Sequence, residues 1–430
     1  MRKHACTFAL LGAVALAAGS SKAQTVEKLT LQEAEQIALR NHPQIQAAMD
    51  LAAAAKAQGT QARSAYYPTV YGSLTGAYAE NDSRLTAGAI NNPIVYNRYA
   101  NGITVGQLVT DFGRTHELVK SSDLHAQSRQ ENVASSRADI LLEVHRAYFR
   151  ALKAQSVLVV AVETVKARQL ASDQVTELAR NKIKSDLDVN FSNVDLAQAK
   201  LLLIQAQNDL QSSFAQLAVA LGYSDLRSFQ LADQPMPPAP PANVTDLIQQ
   251  ALKDRPELIS QRLDVDSAER YATAERDLKF PTISALGTAG LTPARESPLA
   301  SRYAAAGFNV NIPIFNGHLY GALQSEAKAR AQAENQYLRD LQNRVVRDVQ
   351  TAWLNTNSAF QRLSVTEQLV NEANQALDLA QARYKLGLSS IIELSQAELN
   401  QTQARIEQAS AKYDYQAQYS VLNYERGALH

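Results

Sequence analysis

The sequence predicts a mainly α chain built from two internal repeats, with a smaller β part of four strands, two from each repeat. Three observations carry that expectation. Landmark segments recur in the same order in both halves of the 430 residues. Helical periodicity runs from Gly113 to Arg180 and again from Gly317 to Arg383, 68 and 67 residues. Each of these runs follows a segment rich in Thr, Tyr, Ser and Gly whose pattern is that of a hairpin.

The repeat comes first, because self-similarity decides the architecture before any single element does. "ALRNHPQI" (38–45) returns as "ALKDRPEL" (251–258), and "AYYPTV" (65–70) as "LKFPTI" (278–283), both at an offset of 213. "DFGR" (111–114) faces "FNGH" (315–318), which sets Gly113 opposite Gly317. "RNKIKSDLDVNFSNVDL" (180–196) then matches "RYKLGLSSIIELSQAEL" (383–399), 203 residues later. Between the halves lies "LADQPMPPAPPAN" (231–243), whose prolines predict an extended linker. The expected divisions are 1–23, 24–230, 231–243 and 244–430.

Residues 1–23 read as a secretory signal: Arg2 and Lys3, an apolar run from Phe8 to Ala18, and the small residues Ser21-Lys22-Ala23. A helix is expected from about Leu31 to Tyr67, or Asp246 to Phe280, and Pro68 or Pro281 ends it for want of an amide donor. Hairpins follow at about 69–111, around Asn91-Asn92-Pro93, and at about 282–315. In the second, Phe308, Val310, Ile312 and Ile314 alternate with Asn309, Asn311 and Pro313, the period of a strand. The long helices come next, each roughly 100 Å at 1.5 Å per residue. Tips at about 181–186 and 384–390 reverse the chain into a final helix in each half. Ile140, Val144, Ala147, Ala151, Ala154, Leu158, Ala161 and Val165 keep the 4-3 spacing of a heptad seam, and Leu141, Tyr148, Leu152, Val159 and Val162 form a second stripe. Two stripes suit a helix with a neighbour on each side.

Composition excludes several functions. Removing Arg2, Lys3 and Lys22 with the signal leaves 39 basic against 42 acidic residues, no surplus for nucleic acid. Cys6, the single cysteine, lies within the signal, so the mature chain has neither disulfide nor thiolate chemistry. His42, His116, His125, His145, His318 and His430 form no metal-ligand pattern. Ser, His and Asp stand in no nucleophile motif. No enzyme, metal or cofactor is expected. Trp353 and Tyr148 are expected as packing residues, and Asp186 and Asp188 as solvated acids.

Four short strands cannot close a barrel alone, and a bilayer accepts only closed barrels. Three copies would supply twelve strands, closing by symmetry. With this architecture, "LTLQEAEQIALRNHPQI", "YYPTV", the Gly113 and Gly317 helix starts and "RYKLGLSSIIELSQAEL" together make the chain resemble the TolC-like outer membrane factors of Gram-negative bacteria. The resemblance covers essentially the whole mature chain. It implies a homotrimer whose twelve-stranded outer membrane β-barrel, four strands per chain, continues into a long periplasmic α-helical barrel. It also implies an exit duct for tripartite efflux pumps or type I secretion systems, partnered by a periplasmic adaptor, an inner-membrane transporter and outer membrane lipid. The alternative is an exported structural or adhesive coiled-coil protein without a channel, which would need no matched hairpins.

The resemblance implies sites too. Leu386, Gly387, Leu388 and Ser389 look like the family's adaptor-docking turn. The first tip, Lys182, Ile183, Lys184 and Ser185, departs from it, with Lys184 where glycine is usual. Two acidic positions after the second tip narrow the entrance in the family. They fall here on Glu393 and Gln396, so one carboxylate ring remains and one is neutral. Closing contacts fall on Tyr384, which is kept, and on Ser389 and Asn190, which replace an arginine and an aspartate. A weaker polar latch is expected.

Overall fold

A computed structural model describes residues 28–84, 94–225 and 227–429. The expected signal, Cys6, the Asn91-Asn92-Pro93 loop and His430 lie outside the described residues. The first half runs α1 (Leu31–Asn41), α2 (Pro43–Arg63), β1 (Thr69–Ala77), β2 (Arg98–Thr110), α3 (Arg114–Arg180) and α4 (Asp186–Ala220). The second runs α5 (Val244–Asp254), α6 (Pro256–Asp277), β3 (Thr282–Arg295), β4 (Arg302–Asn311), α7 (Leu319–Lys385) and α8 (Ile391–Glu425).

The repeat has two registers. Before the hairpins, elements recur 213 positions later: α1 starts at Leu31 and α5 at Val244, α2 at Pro43 and α6 at Pro256. After them the offset is 205: α3 starts at Arg114 and α7 at Leu319, α4 at Asp186 and α8 at Ile391. Lengths match as well, 67 residues for each long helix and 35 for each helix after a tip. The hairpins absorb the difference. The connection between β1 and β2 is much longer than that between β3 and β4.

This register corrects three sequence expectations. The single helix expected before each hairpin is two, broken at His42-Pro43 and Arg255-Pro256. Proline pushes the residue before it to extended backbone (ψ 122 at His42, 124 at Arg255) and then opens the next helix. Gly113 faces His318, not Gly317: both are left-handed residues capping a long helix, at φ 111 and 68. Gly317 instead matches Phe112, also left-handed at φ 55. The strand expected to reach Ile314 stops at Asn311, which pairs with the first residue of β3, Thr282. Pro313 then offers no amide to a ladder.

The four strands form one antiparallel sheet in the order β1-β2-β3-β4, which leaves β1 and β4 as edges. Register sorts the side chains by face. Val70 aligns with Val105, Ile103 with Ala289, and Ala285 with Phe308. The other face carries Tyr71 opposite Thr104, Thr104 opposite Thr288, and Ser284 opposite Asn309. An apolar face backed by a polar one is the pattern of a barrel strand between lipid and a wet lumen. Tyr303 lies across Gly290 and Gly102 on the polar face, where a Cβ on Gly290 would come within 2.4 Å of its ring.

The helices form a wall. α3 packs against α2 and α4 on one side and α6 and α8 on the other, and α7 closes the row against α6 and α8. Two shorter helices stacked end to end thus alternate with one full-length helix. The heptad seam is buried at Ile140, Val144, Ala147, Ala151 and Ala161, and Leu141, Tyr148 and Leu152 of the second stripe are buried beside it. Val159 is exposed. The proline-rich segment lies extended as a strap at mid-height. The single Tyr148 Oη proton is shared between Ala232 O (2.6 Å) and Leu29 O (2.9 Å), and Trp353 Nε1 donates to Pro241 O (2.7 Å). Gln416 Nε2 donates to Gln234 O (3.0 Å). The expected packing residues Tyr148 and Trp353 therefore also satisfy backbone carbonyls of the linker.

Candidate functional site at the helical tips

Both long helices end in the same motif. After α7, Leu388 N donates to Arg383 O (2.9 Å) and Gly387 N to Tyr384 O (3.1 Å), with Gly387 left-handed at φ 73. After α3, Ile183 N donates to Leu178 O (2.9 Å) and Lys182 N to Ala179 O (2.8 Å). This is the Schellman arrangement, which satisfies the last free carbonyls of a helix. The residue opposite Gly387 is accordingly Lys182, not Lys184. Lys182 takes φ 62 with a full side chain, at a cost of about 1 kcal/mol. Serine then starts each returning helix. Ser185 Oγ accepts from Asp188 N (3.2 Å), while the Asp188 carboxylate accepts from Ser185 N (3.0 Å). Ser390 Oγ accepts from Glu393 N (3.4 Å). Asp188 is thus a capping residue, and Asp186 stands exposed in the same first turn.

Around these turns the sequence-expected residues fall into two groups. Ile183, Leu386 and Leu388 are large apolar side chains left exposed at the extreme end, beside exposed Lys182. Tyr384 is buried with Val175, Ala380, Ile391, Leu394 and Ala397 in a small core under the tips. Its hydroxyl has no hydrogen-bond partner, nor has the buried hydroxyl of Ser389. Burial, with Asp188 adding to it, pushes the Tyr384 hydroxyl up to about 12. Lys184 is half-buried and turns inward: its Nζ donates to Tyr384 O (3.3 Å) and stands 3.7 Å from the centre of the Tyr384 ring. Glu393 pairs with Arg383 of its own hairpin at 3.0 Å, both about half exposed. Gln396 Nε2 donates to Asn400 Oδ1 (2.9 Å). Asn190 is exposed at the start of α4.

The structure adds one feature that the sequence reading missed. Arg168 of α3 and Glu398 of α8 form an ion pair whose side chains are each 9% exposed. Arg168 also donates to Thr402 Oγ1 (3.4 Å), and nearby Ser395 Oγ donates to the Asp195 carboxylate (2.5 Å). Desolvation holds the Arg168 guanidinium below its ordinary range and lifts the Glu398 carboxyl above its own, each opposed by the partner's charge. The signal was present. The 4-3 seam runs on from Ala161 and Val165 to Arg168, Ser172 and Val175, so a charged residue stands where the spacing demands burial. Among the described residues, no group of His, Cys, Asp and Glu could hold a metal ion. No described helix is long and apolar enough to cross a membrane.

A wall of helices roughly 100 Å long thus rises into a two-faced antiparallel sheet. Comparison with known proteins gives the family. The model of the outer membrane efflux protein family matches residues 35–223 and 247–423, and the chain belongs to that family. The outer membrane protein TolC of Escherichia coli (strain K12) is 23% identical over 345 residues, 74% of this chain and 69% of TolC. The alkaline protease secretion protein AprF of Pseudomonas aeruginosa is 24% identical over 417 residues, 93% of this chain and 85% of AprF. The crystal structure of CusC superposes with a TM-score of 0.81 at 20% identity, covering 92% of each chain. The protein is an outer membrane channel protein of efflux or secretion, with a large periplasmic helical part.

Proposed function

We propose that three copies form an exit duct. It passively conducts substrates from an inner-membrane transporter and a periplasmic adaptor, across periplasm and outer membrane, in a tripartite efflux pump or type I secretion system. The observation that carries this is the sheet, whose β1 and β4 edges are both unpaired while its faces divide into apolar and polar. An open four-stranded sheet leaves backbone groups unsatisfied in a bilayer, whereas β1 of one copy on β4 of the next closes a twelve-stranded barrel. The flanks of the wall support the same assembly. α2 and α4 expose Leu51, Leu201 and Ile204 on one side, and α7 exposes Leu354, Val365 and Leu379 on the other.

Within this reading the exposed tip residues Lys182, Ile183, Leu386 and Leu388 meet the adaptor. Glu393 and Gln396 line the entrance, where three carboxylates favour cations. Gln396 contributes a neutral ring, so the entrance carries half the acid expected of the family pattern. The alternative of a coiled-coil scaffold without a channel has no use for a sheet with one apolar and one polar face.

Crosslinking tests the closure, and the mature chain supplies no cysteine of its own to confuse it. Pairs of cysteines, one along Thr69–Ala77 and one along Arg302–Asn311, should give disulfide-linked species ending at three chains. Only intrachain products across every pairing would contradict the barrel.

A further inference from the structure

Near the tips the chain consists of two helical hairpins, α3/α4 and α7/α8, meeting along α3 and α8. Five polar contacts join them there among the described residues. Arg168 reaches Glu398 and Thr402, Arg405 reaches Glu163 (3.3 Å), Ser395 reaches Asp195, and Lys184 reaches Tyr384. The last is nearest the entrance, and it leads directly to Glu393. Lys184 holds Tyr384, the neighbouring Arg383 pairs with Glu393, and Glu393 opens α8.

Three attractions act on the Lys184 ammonium at once. It sits on the face of an aromatic ring, where the quadrupole is negative. It donates to a carbonyl in the last turn of α7. It lies at the C-terminus of a 67-residue helix, the end that favours a cation. The Tyr384 hydroxyl takes no part, having no partner. We propose that Lys184 is a positioning residue: its contact with the ring face and carbonyl of Tyr384 clasps the two hairpins and sets how far Glu393 stands from the channel axis. This rests on the duct reading. It differs from a latch made through the tyrosine hydroxyl, for which the positions of Asn190 and Ser389 no longer hold the charged partners.

Single-channel conductance of the purified protein in planar lipid bilayers tests the clasp. Lys184→Met keeps the stem and removes the charge. It should shift the balance toward the wider state about tenfold for each clasp lost, seen as longer high-conductance openings. Lys184→Arg and Tyr384→Phe keep the contact and should behave as wild type, and Tyr384→Leu should open. Lys184→Met is the decisive variant, because Lys184 lies outside the tip core to which Tyr384 belongs. Wild-type conductance from Lys184→Met in intact trimers overturns the clasp, as does Tyr384→Phe opening the channel as far as Tyr384→Leu. Intact trimers with no conductance in any variant would overturn the duct reading itself.

Discussion

Tyr384 shows what one residue at the tip contributes. Its phenol is buried, and the folded chain holds the proton up to about pH 12, whereas an unfolded tyrosine releases it near 10. Between those values the folded state binds more protons than the unfolded state, so stability falls as pH rises through that window. Tyr384→Phe removes this dependence. Wild type should therefore lose stability relative to Tyr384→Phe from pH 10 to 12, as thermal unfolding of the purified protein in detergent would show. A difference constant across that range would contradict a buried phenol. The sequence made Tyr384 and Gly387 legible through the motif they share with a family. It misplaced the left-handed residue of the first tip, because letter matching set Lys184 opposite Gly387 while the caps set Lys182 there. Backbone conformation at a single lysine leaves no trace in composition.

Among the elements, the long helices were the most legible, with ends expected at Arg180 and Arg383 and found at Arg180 and Lys385. Glycine and polar breaks interrupt a strong period there. The elbows at His42-Pro43 and Arg255-Pro256 were harder to see, since helical periodicity resumes immediately and only the proline marks the bend. Strand ends were legible only in part, because they depend on where the partner strand begins. The Arg168–Glu398 pair is the clearest contact between elements that pattern reading passed over. Arg168→Met strands a buried carboxylate and should cost about 3 kcal/mol, whereas Arg168→Met combined with Glu398→Leu should recover most of it, since packed apolar residues replace a buried pair at little cost. Urea unfolding of the three proteins checks this. A double variant no more stable than the single one would show that the pair itself, not the stranded charge, holds α3 to α8.

At the scale of the whole molecule, the chain by itself is incomplete. Its sheet has two open edges and its helical wall two apolar flanks, and in the proposed duct Glu393 acquires meaning only as a ring. The fold within one chain was legible because a duplicated sequence doubles every landmark. The assembly follows from what one chain leaves unsatisfied. The most direct measurement is negative-stain electron microscopy of the mature protein purified in detergent. Hollow three-fold particles, with roughly 100 Å of tube below a belt of detergent, are the predicted result. Solid rods or separate monomers would contradict the duct and leave a repeat-built helical scaffold in its place.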